Sequence, residues 1–296
     1  MQLSLLLQTF RPSFLVLTPV CVLLGISASY IDQHEIEFFL ITLVLIGAIA
    51  AHISVNTLNE YFDFKSGLDL KTDKTPFSGG SGILPAHPEL APYTLYSGLI
   101  ALLITVLIGV YFLYLRGLIL LPVGLIGVAI ILTYTQWLNR NAILCLIASG
   151  TGFGLLMVLG TYIVLTGTTK DLPWLIALVP FFLVNNLLLL NQYPDIEADK
   201  SAGRQTFPIV FGVKISNLIY ALFALATLLS IVLIVTRLPI SKLTLLSLIP
   251  ASLSFVALYG AIRFRKQIGQ QPKYLAVNVV TTIATPLFLG LAILLV

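Results

Sequence analysis

Residues 172–191 read LPWLIALVPFFLVNNLLLLN, a run of 20 residues without a charged side chain, and residues 192–203 continue as QYPDIEADKSAG. A helix needs about 20 predominantly apolar residues to cross the hydrocarbon core of a bilayer. The run is therefore long enough to be a membrane span, and it ends where a cluster of acidic residues begins. A second span followed by acidic residues occurs earlier in the chain, at residues 37–69.

The composition shows that such spans make up most of the chain. Hydrophobic residues account for 58% and charged residues for 9% of the 296 residues, whereas a soluble domain averages about 45–50% apolar and about 25% charged residues. We therefore expect an all-α polytopic membrane protein that forms a single domain, residues 1–296, in the lipid bilayer. Nine transmembrane helices are predicted, at residues 12–30, 37–58, 93–115, 117–137, 141–167, 172–191, 213–236, 241–262 and 273–295.

The cationic residues predict the orientation of these spans. Nine spans place alternate connectors on opposite sides, and twelve of the sixteen Lys and Arg residues then fall on one side. The other four are Arg116, Lys170, Arg237 and Lys242. Because cytoplasmic loops carry the excess of Lys and Arg, we expect the N-terminus and the two long connectors, 59–92 and 192–212, to be cytoplasmic. The C-terminus is expected on the opposite side.

The two long connectors hold eight of the twelve acidic residues, namely Glu60, Asp63, Asp69, Asp73, Glu89, Asp195, Glu197 and Asp199. The first connector begins with NEYFDFKSGLD (59–69), and the second reads NQYPDIEADKSAG from the last residue of the preceding span (191–203), so the pattern Asn-x-Tyr-x-Asp occurs in both. A spacing of four residues places side chains on one face of a helix. Each motif therefore presents a row of oxygen ligands at the end of a span.

Carboxylates held this close repel one another, and a divalent cation would relieve the repulsion. Mg²⁺ prefers oxygen ligands and commonly shares its coordination shell with substrate phosphates. We therefore predict a Mg²⁺–diphosphate site with Asp63, Asp69, Asp195 and Asp199 as catalytic carboxylates and metal ligands. Asn59 and Asn191 complete the predicted ligand set. Four nearby cations are predicted to bind the diphosphate: Lys71, Lys74, Lys200 and Arg204.

Other residue classes exclude alternative sites. Cys21 and Cys145 lie within apolar runs and are expected to be buried and unpaired, and the three histidines are too scattered for a zinc site. No basic face or arm is present, so nucleic acid is not an expected partner. The run SGGSG (78–82) is compatible either with a phosphate-binding loop or with a flexible lid.

With these motifs, the sequence resembles the UbiA superfamily of intramembrane prenyltransferases. The resemblance rests on the two Asp-rich motifs, on Arg11-Pro12 before the first span, on the SGGSG run, and on AGRQT (202–206) after the second motif. The first motif is more similar to the menaquinone branch, which prenylates 1,4-dihydroxy-2-naphthoate, than to the 4-hydroxybenzoate branch.

The resemblance implies a bundle of nine helices around a central cavity, with both motifs at its cytoplasmic mouth. Mg²⁺ would hold an isoprenyl diphosphate, and the electron-rich ring of an aromatic acceptor would attack the allylic cation left when the diphosphate departs. An apolar, aromatic-lined pocket can stabilise such a cation and exclude water. The candidate acceptor-binding or cation-stabilising residues are Asn56, Tyr61, Tyr134 and Tyr193.

Two departures from the branch concern the acceptor. Glu60 occupies a position where Asp is usual, and Ile143-Leu144-Cys145-Leu146 replaces a Gly-Leu-Gly-Glu element near the fifth span. A prenyltransferase acting on 4-hydroxybenzoate, or on another phenolic, lipid or haem acceptor, is therefore one alternative. A transporter with intramembrane carboxylates is another, although its ionisable residues would be expected near the bilayer midplane.

Overall fold

A computed structural model describes residues 2–32, 37–72, 74–237 and 242–295. Within these ranges every regular element is helical. The α-helices are α1 (Gln2–Gln8), α2 (Pro12–Leu15), α3 (Leu17–Ile31), α4 (Phe38–Lys65), α5 (Ile83–Ala86), α6 (Ala91–Arg116), α7 (Leu121–Thr133), α8 (Ala142–Gly150), α9 (Val158–Thr166), α10 (Asp171–Ser201), α11 (Phe207–Arg237), α12 (Leu248–Ser252), α13 (Ser254–Phe264) and α14 (Pro272–Leu294). Asp73 and residue 241, the first residue of the eighth predicted span, lie outside the described residues.

Eight helical segments of the described chain are long and apolar enough to cross a membrane, and the chain is an integral membrane protein. One of them, Pro88–Thr133, has 46 residues and would measure about 69 Å at 1.5 Å per residue, more than twice the thickness of a bilayer core. Gly117 interrupts it with φ 77° and ψ −167°, a conformation that glycine adopts without a Cβ clash. Since α7 packs back against α6, this segment contains both the third and the fourth predicted spans.

Both acidic motifs begin on helices that extend beyond the predicted spans. α4 continues to Lys65, and α10 continues to Ser201, so the first ten residues of the predicted connector 192–212 are helical. The four-residue spacing of the motif implied a helix here, whereas the polar composition assigned these residues to a connector. Tyr193 and Ile196 face the protein core, with exposed fractions of 0% and 5%, and their burial favours helix through a proline at position 194.

α10 is the central helix of the bundle and contacts α3, α8, α9, α11 and α14. Buried side-chain amides join three spans at its middle. Asn186 donates to the carbonyl oxygen of Tyr220 (3.0 Å), the Tyr220 hydroxyl donates to Asn278 Oδ1 (2.7 Å), and Asn278 donates to the carbonyl oxygen of Asn186 (3.2 Å). Such bonds stabilise helix association in lipid, where water cannot satisfy the same groups.

The fifth predicted span contains a π-helical segment, Thr151–Met157, between α8 and α9. α8 packs mainly against α10, whereas α9 packs mainly against α3. Gly154 allows the close approach to α10, because a Cβ at this position would lie 2.4 Å from the backbone nitrogen of Phe181. The π-helical segment forms part of the wall of the central cavity.

The two ends of the bundle carry different ion pairs. At one end Asp32, after α3, accepts hydrogen bonds from Tyr162 (2.5 Å) and Lys170 (2.6 Å). At the other end Arg11, before α2, pairs with Glu60 near the end of α4. Both Asp-rich motifs lie at this second end, which agrees with the alternation expected from the sequence.

Candidate active site

A cavity of about 660 Å³ lies between α4, α6, α7, α8 and α10. Aliphatic and aromatic side chains line most of it, including Val44, Ile108, Val123, Phe153 and Leu156. Polar side chains are concentrated at the end where the two acidic motifs meet. The shape and chemistry suit a ligand with a long apolar part and a charged head.

The first motif occupies the last turns of α4 and the loop after it. Asn59 Nδ2 donates to Asp63 Oδ2 at 3.0 Å and to Thr135 Oγ1 at 3.1 Å. The first bond follows from the four-residue spacing on a helix. Asp69 lies in the loop, and its Oδ2 is buried without a hydrogen-bond partner among the described residues.

The second motif lies on α10 and faces the first across the cavity. Asn191, Asp195 and Asp199 follow at intervals of four residues and all line the cavity. Within the described residues, Asn191 Oδ1 and Asp195 Oδ1 are buried and accept no hydrogen bond. Buried acceptors are normally satisfied, so these two atoms and Asp69 Oδ2 are suited to interact with a positively charged ligand.

Arg204 connects the two motifs. Its guanidinium contacts the Asp63 carboxylate on α4 and donates to Asp199 Oδ1 on α10 at 3.0 Å. Burial alone would lower the pKa of Arg204, but the charges of Asp63 and Asp199 outweigh burial and raise this pKa above its usual value. Arg204 therefore stays charged and neutralises one carboxylate from each motif.

Arg11 and Glu60 fix the mouth of the cavity. Arg11 Nη2 lies 2.6 Å from Glu60 Oε1, and Glu60 is fully buried. The other donors to Glu60 come from Ser81, whose backbone nitrogen and hydroxyl both lie 2.7 Å from its carboxylate oxygens. Glu60 thus ties the N-terminal segment and the glycine-rich loop to α4.

The glycine-rich loop, residues 78–82, packs directly on the acidic motifs. Ser78 and the backbone of Gly79 lie next to the Asp195 carboxylate. A Cβ at Gly80 would lie 3.3 Å from Asp69 Oδ1 and 3.4 Å from Glu60 Oε1, and the positive φ of Gly80 (71°) also disfavours any other residue. The loop therefore covers the mouth and contacts both motifs.

The pKa of Asp69, which lies outside the spans, is shifted far from its ordinary value. Burial first, and then the negative charges of Asp63 and Glu60, raise the pKa of Asp69 from 3.8 to about 7. A cation bound beside Asp69 would reverse this effect, because an opposite charge favours the ionised carboxylate.

The remaining predicted residues divide into two groups. Asn56 and Tyr134 line the cavity, and Asn56 donates to the carbonyl oxygen of Phe10 at 2.9 Å. Tyr61 instead packs near Ile83 and Leu84. Tyr193 is fully buried and donates to Asn217 Oδ1 at 2.8 Å, so neither of these two tyrosines lines the cavity.

Three of the four predicted diphosphate-binding cations also lie outside the cavity lining. Lys71 and Lys200 are exposed side chains. Lys74 donates to the carbonyl oxygen of Ser81 and lines a smaller pocket beside the mouth, which it shares with Arg11. Arg204 alone of the four lines the central cavity.

Sequence reasoning missed several polar residues of the cavity wall. His52 is buried, lies 2.8 Å from Thr18 Oγ1 through its Nδ1, and contacts the Phe153 ring edge-on at 4.6 Å. It precedes Asn59 by seven residues, a helical spacing that places both on one face. Asn139 and Gln192 also line the cavity. Gln192 directly follows the motif residue Asn191, but a glutamine at this position does not by itself indicate a site residue.

The described residues include side chains of the type that bind a divalent cation, but their acidic groups do not converge on one point. Among them, no three His, Cys, Asp or Glu side chains converge as a preformed metal site. Arg204 lies between Asp63 and Asp199 and pairs with both. The unpaired oxygens of Asp69, Asn191 and Asp195 are the hard ligands that Mg²⁺ prefers.

Comparison with known proteins places these features in a family. A family model described as the UbiA prenyltransferase family matches residues 16–280. The 1,4-dihydroxy-2-naphthoate octaprenyltransferase of Bacillus subtilis (strain 168) is 31% identical over 239 residues, which cover 79% of this chain and 74% of that protein.

Solved structures share the fold. A UbiA homolog from Aeropyrum pernix K1 superposes with a TM-score of 0.73 at 17% identity, covering 96% of this chain and 98% of the other. A UbiA homolog from Archaeoglobus fulgidus bound to DMAPP and Mg²⁺ superposes with a TM-score of 0.69 at 14% identity, covering 98% and 99%. The present chain therefore belongs to the UbiA prenyltransferase family and is a membrane-embedded prenyltransferase.

Proposed function

We propose that this chain transfers an isoprenyl group from a prenyl diphosphate to an aromatic acceptor, and that the acceptor is 1,4-dihydroxy-2-naphthoate. The observation that carries the proposal is the meeting of two Asp-rich motifs at the polar end of an otherwise apolar cavity. The apolar part suits an isoprenyl tail, and the acidic end suits a metal-bound diphosphate.

Mg²⁺ is the proposed cofactor. Asp69, Asn191 and Asp195 would hold it through their unpaired oxygens, together with Asn59, Asp63 and Asp199. When bound, the ion supplies positive charge that stabilises the departing diphosphate. A relative of the same fold bound to DMAPP and Mg²⁺ supports this assignment.

Arg204 is the proposed diphosphate-binding residue of the chain itself. Phosphate oxygens are strong acceptors for a guanidinium, so a bound diphosphate competes with Asp63 and Asp199 for Arg204. We propose that Arg204 exchanges these carboxylates for phosphate oxygens when the substrate binds. The exchange would leave both carboxylates available as metal ligands.

The transfer itself breaks the bond between the prenyl C1 and the diphosphate oxygen and forms a carbon–carbon bond to the acceptor ring. The ring then loses the substituent at that carbon, either a proton or a carboxyl group released as carbon dioxide, and aromaticity returns. The apolar wall excludes water, which would otherwise capture the allylic cation. Tyr134, in that wall, is the remaining candidate among the predicted tyrosines for cation stabilisation.

The proposed acceptor rests on the first motif and on the 31% identity with the naphthoate octaprenyltransferase of Bacillus subtilis. Another phenolic or lipid acceptor is the alternative within the family. Membership of a prenyltransferase family and the position of the carboxylates at one end of the bundle argue against a transporter. We also propose that this end faces the cytoplasm, as the distribution of Lys and Arg predicts.

A direct assay tests the proposal. Purified protein in detergent or liposomes is incubated with a radiolabelled prenyl diphosphate, Mg²⁺, and either 1,4-dihydroxy-2-naphthoate or 4-hydroxybenzoate. We expect faster prenylation of the naphthoate and loss of activity with EDTA. Faster prenylation of 4-hydroxybenzoate would reassign the acceptor, and full activity in EDTA would contradict the metal site.

A further inference from the structure

Gln192 lies in the cavity wall with one half of its amide satisfied and the other half free. It is 9% exposed and lines the cavity from α10. Its Nε2 donates to Cys145 Sγ at 3.3 Å, whereas Oε1 is buried without a hydrogen-bond partner among the described residues. A buried acceptor without a donor is uncommon in a folded protein, so this oxygen is a candidate to accept a hydrogen bond from a ligand in the cavity.

The orientation of the amide agrees with a directional chain of hydrogen bonds. The Cys145 thiol has one hydrogen, which it donates to Asn139 Oδ1 at 3.4 Å. The sulfur can then only accept from its other neighbour, which is the NH₂ group of Gln192. Cys145 is 1% exposed, so water does not compete for these bonds, and the chain leaves Oε1 as the free end of Gln192.

The free oxygen is not placed to join the predicted metal ligands. Neighbouring residues on an α-helix point about 100° apart, so Gln192 lies off the face that Asn191 shares with Asp195. Its amide is also held towards α8 by Cys145. Asn139 and Tyr134, from the segment between α7 and α8, line the cavity as well, and this group of residues forms a polar patch beside the diphosphate end.

The free amide oxygen of Gln192 determines which ligand group this patch can bind. Oε1 requires a hydrogen-bond donor. Under the proposed function, the acceptor ring must reach the prenyl carbon next to the diphosphate, which brings the ring substituents near Gln192. The donor that a phenolic acceptor carries is its hydroxyl group.

We propose that Gln192 is a specificity-determining residue that accepts a hydrogen bond from a hydroxyl group of the aromatic acceptor. Cys145 is a positioning residue that holds the Gln192 amide in the required orientation. The inference rests on the proposed function of prenyl transfer to a hydroxylated aromatic. It also gives a role to Cys145, which stands in a segment where the sequence departs from the branch it resembles.

The test compares 1,4-dihydroxy-2-naphthoate with its two mono-O-methyl ethers, which lack one hydroxyl donor each. In the wild-type protein we expect kcat/KM for one of the ethers to be lower than kcat/KM for the unmethylated acceptor by about 100-fold or more. A site that hydrogen-bonds a hydroxyl group discriminates strongly against an analogue that lacks it. In Gln192→Leu we expect kcat/KM for the free acceptor to fall about 10- to 100-fold, mainly through KM, and the discrimination against that ether to approach one.

A matched pair of variants tests the positioning role. Cys145→Ser keeps a group that both donates and accepts, so it should retain the discrimination. Cys145→Ala removes the group and should weaken the discrimination about 10-fold, even where the protein melts at the same temperature as Cys145→Ser. A variant that simply perturbs folding would lower turnover of the hydroxylated and methylated acceptors alike.

The remaining outcomes are also decisive. Unchanged discrimination in Gln192→Leu overturns the proposal, and a weaker Mg²⁺ dependence in this variant would reassign Gln192 to the metal. If the unchanged protein prenylates only 4-hydroxybenzoate, the acceptor under the proposed function is wrong, and the same ratio is measured with 4-methoxybenzoate. If no hydroxylated aromatic is prenylated, the proposed function fails, and the role of Gln192 fails with it.

Discussion

Arg204 forms an ion pair with Asp63, a residue 141 positions earlier in the chain. The pair joins the loop after α10 to the last turns of α4, and a second bond from Arg204 to Asp199 completes the connection between the two motifs. The site that is predicted to bind a metal and an anion therefore already contains an internal cation between its carboxylates.

The first prediction concerns Arg204→Gln. Removing the guanidinium leaves Asp63 and Asp199 facing each other without their shared partner, and breaking a buried ion pair typically costs about 3–5 kcal/mol. We expect a lower melting temperature without Mg²⁺, a larger stabilisation by added Mg²⁺, and weaker binding of prenyl diphosphate. Thermal unfolding without ligand, with Mg²⁺, and with Mg²⁺ plus a prenyl diphosphate measures the three effects.

Lys200→Gln is the matched control for Arg204→Gln. Lys200 is an exposed cation four residues away, and exposed charges contribute little to stability. Its loss should leave the melting temperature and the Mg²⁺ response nearly unchanged. Equal behaviour of the two variants would show that the ion pairs of Arg204 do not organise the site.

The second prediction concerns Asp195→Asn, which keeps the shape of the side chain and removes its charge. As a proposed metal ligand, Asp195 should be required for turnover, and we expect activity to fall by ~100-fold or more. The fold should be preserved, so the variant should insert into membranes normally. Glu197→Gln, at an exposed position that pairs with Lys266, is the control and should stay active. An active Asp195→Asn enzyme would remove Asp195 from the site.

The third prediction follows from the pKa of Asp69, which burial and neighbouring acids raise to about 7 in the metal-free protein. Below this pH the carboxyl is protonated, and Mg²⁺ must displace the proton in order to bind. We therefore expect protonation of Asp69 to lower the Mg²⁺ affinity by up to about 10-fold per pH unit below pH 7. Titration of Mg²⁺ between pH 5.5 and 8.5 measures the slope, which should flatten in Asp69→Asn.

The raised pKa of Asp69 also determines how its contribution to the free energy of unfolding changes with pH when no metal is bound. The native state binds the Asp69 proton more tightly than the unfolded state, whose ordinary pKa is 3.8. The contribution of Asp69 to the free energy of unfolding therefore decreases as the pH rises from about 4 to about 7 and is constant above that range. Asp69→Asn should remove this part of the pH dependence.

The fourth prediction tests the close packing of α10 against the fifth predicted span. In Gly154→Ala, the new Cβ would lie 2.4 Å from the Phe181 backbone, so one of the two helices must move. Overpacking of this kind typically costs about 1–3 kcal/mol, and we expect a lower melting temperature. Gly152→Ala is the control, because nothing lies within 4 Å of its added Cβ.

The fifth prediction tests the orientation in the membrane. Ser201→Cys at the end of α10 should react with an impermeant thiol reagent from the cytoplasmic side, and Thr169→Cys should react from the opposite side. Both positions are exposed, and the natural cysteines are buried at 0% and 1% exposure. Labelling of both positions from one side would contradict the predicted topology.

The spans and both motifs could be predicted from the sequence because each depends on local spacing. A run of apolar residues is enough to predict a span, and four-residue spacing is enough to place Asn59 with Asp63. Tyr193 shows where local spacing stops being informative. It matches the repeated Asn-x-Tyr-x-Asp pattern, yet it points into the core and pairs with Asn217 on α11.

Arg204 and Cys145 show the same limit for the site. The pairing of Arg204 with Asp63 depends on how the ends of α4 and α10 meet, which no nearby residue encodes. The contact between Cys145 and Gln192 likewise joins residues 47 positions apart. Contacts of this kind follow from the packing of the whole bundle, so the sequence predicted the residue types of the site more readily than their partners.

The π-helical segment at Thr151–Met157 limits how this part of the chain can change in length. The residues before it pack on α10 and those after it pack on α3, and the wider turn sets the rotation between the two faces. Deleting one residue there would return the segment to α-helical geometry with little rotation of α9 relative to α8, because a π-helical turn holds about one more residue than an α-helical turn. A further residue added to this segment, by contrast, would turn α9 by about 100° and displace it from its packing on α3.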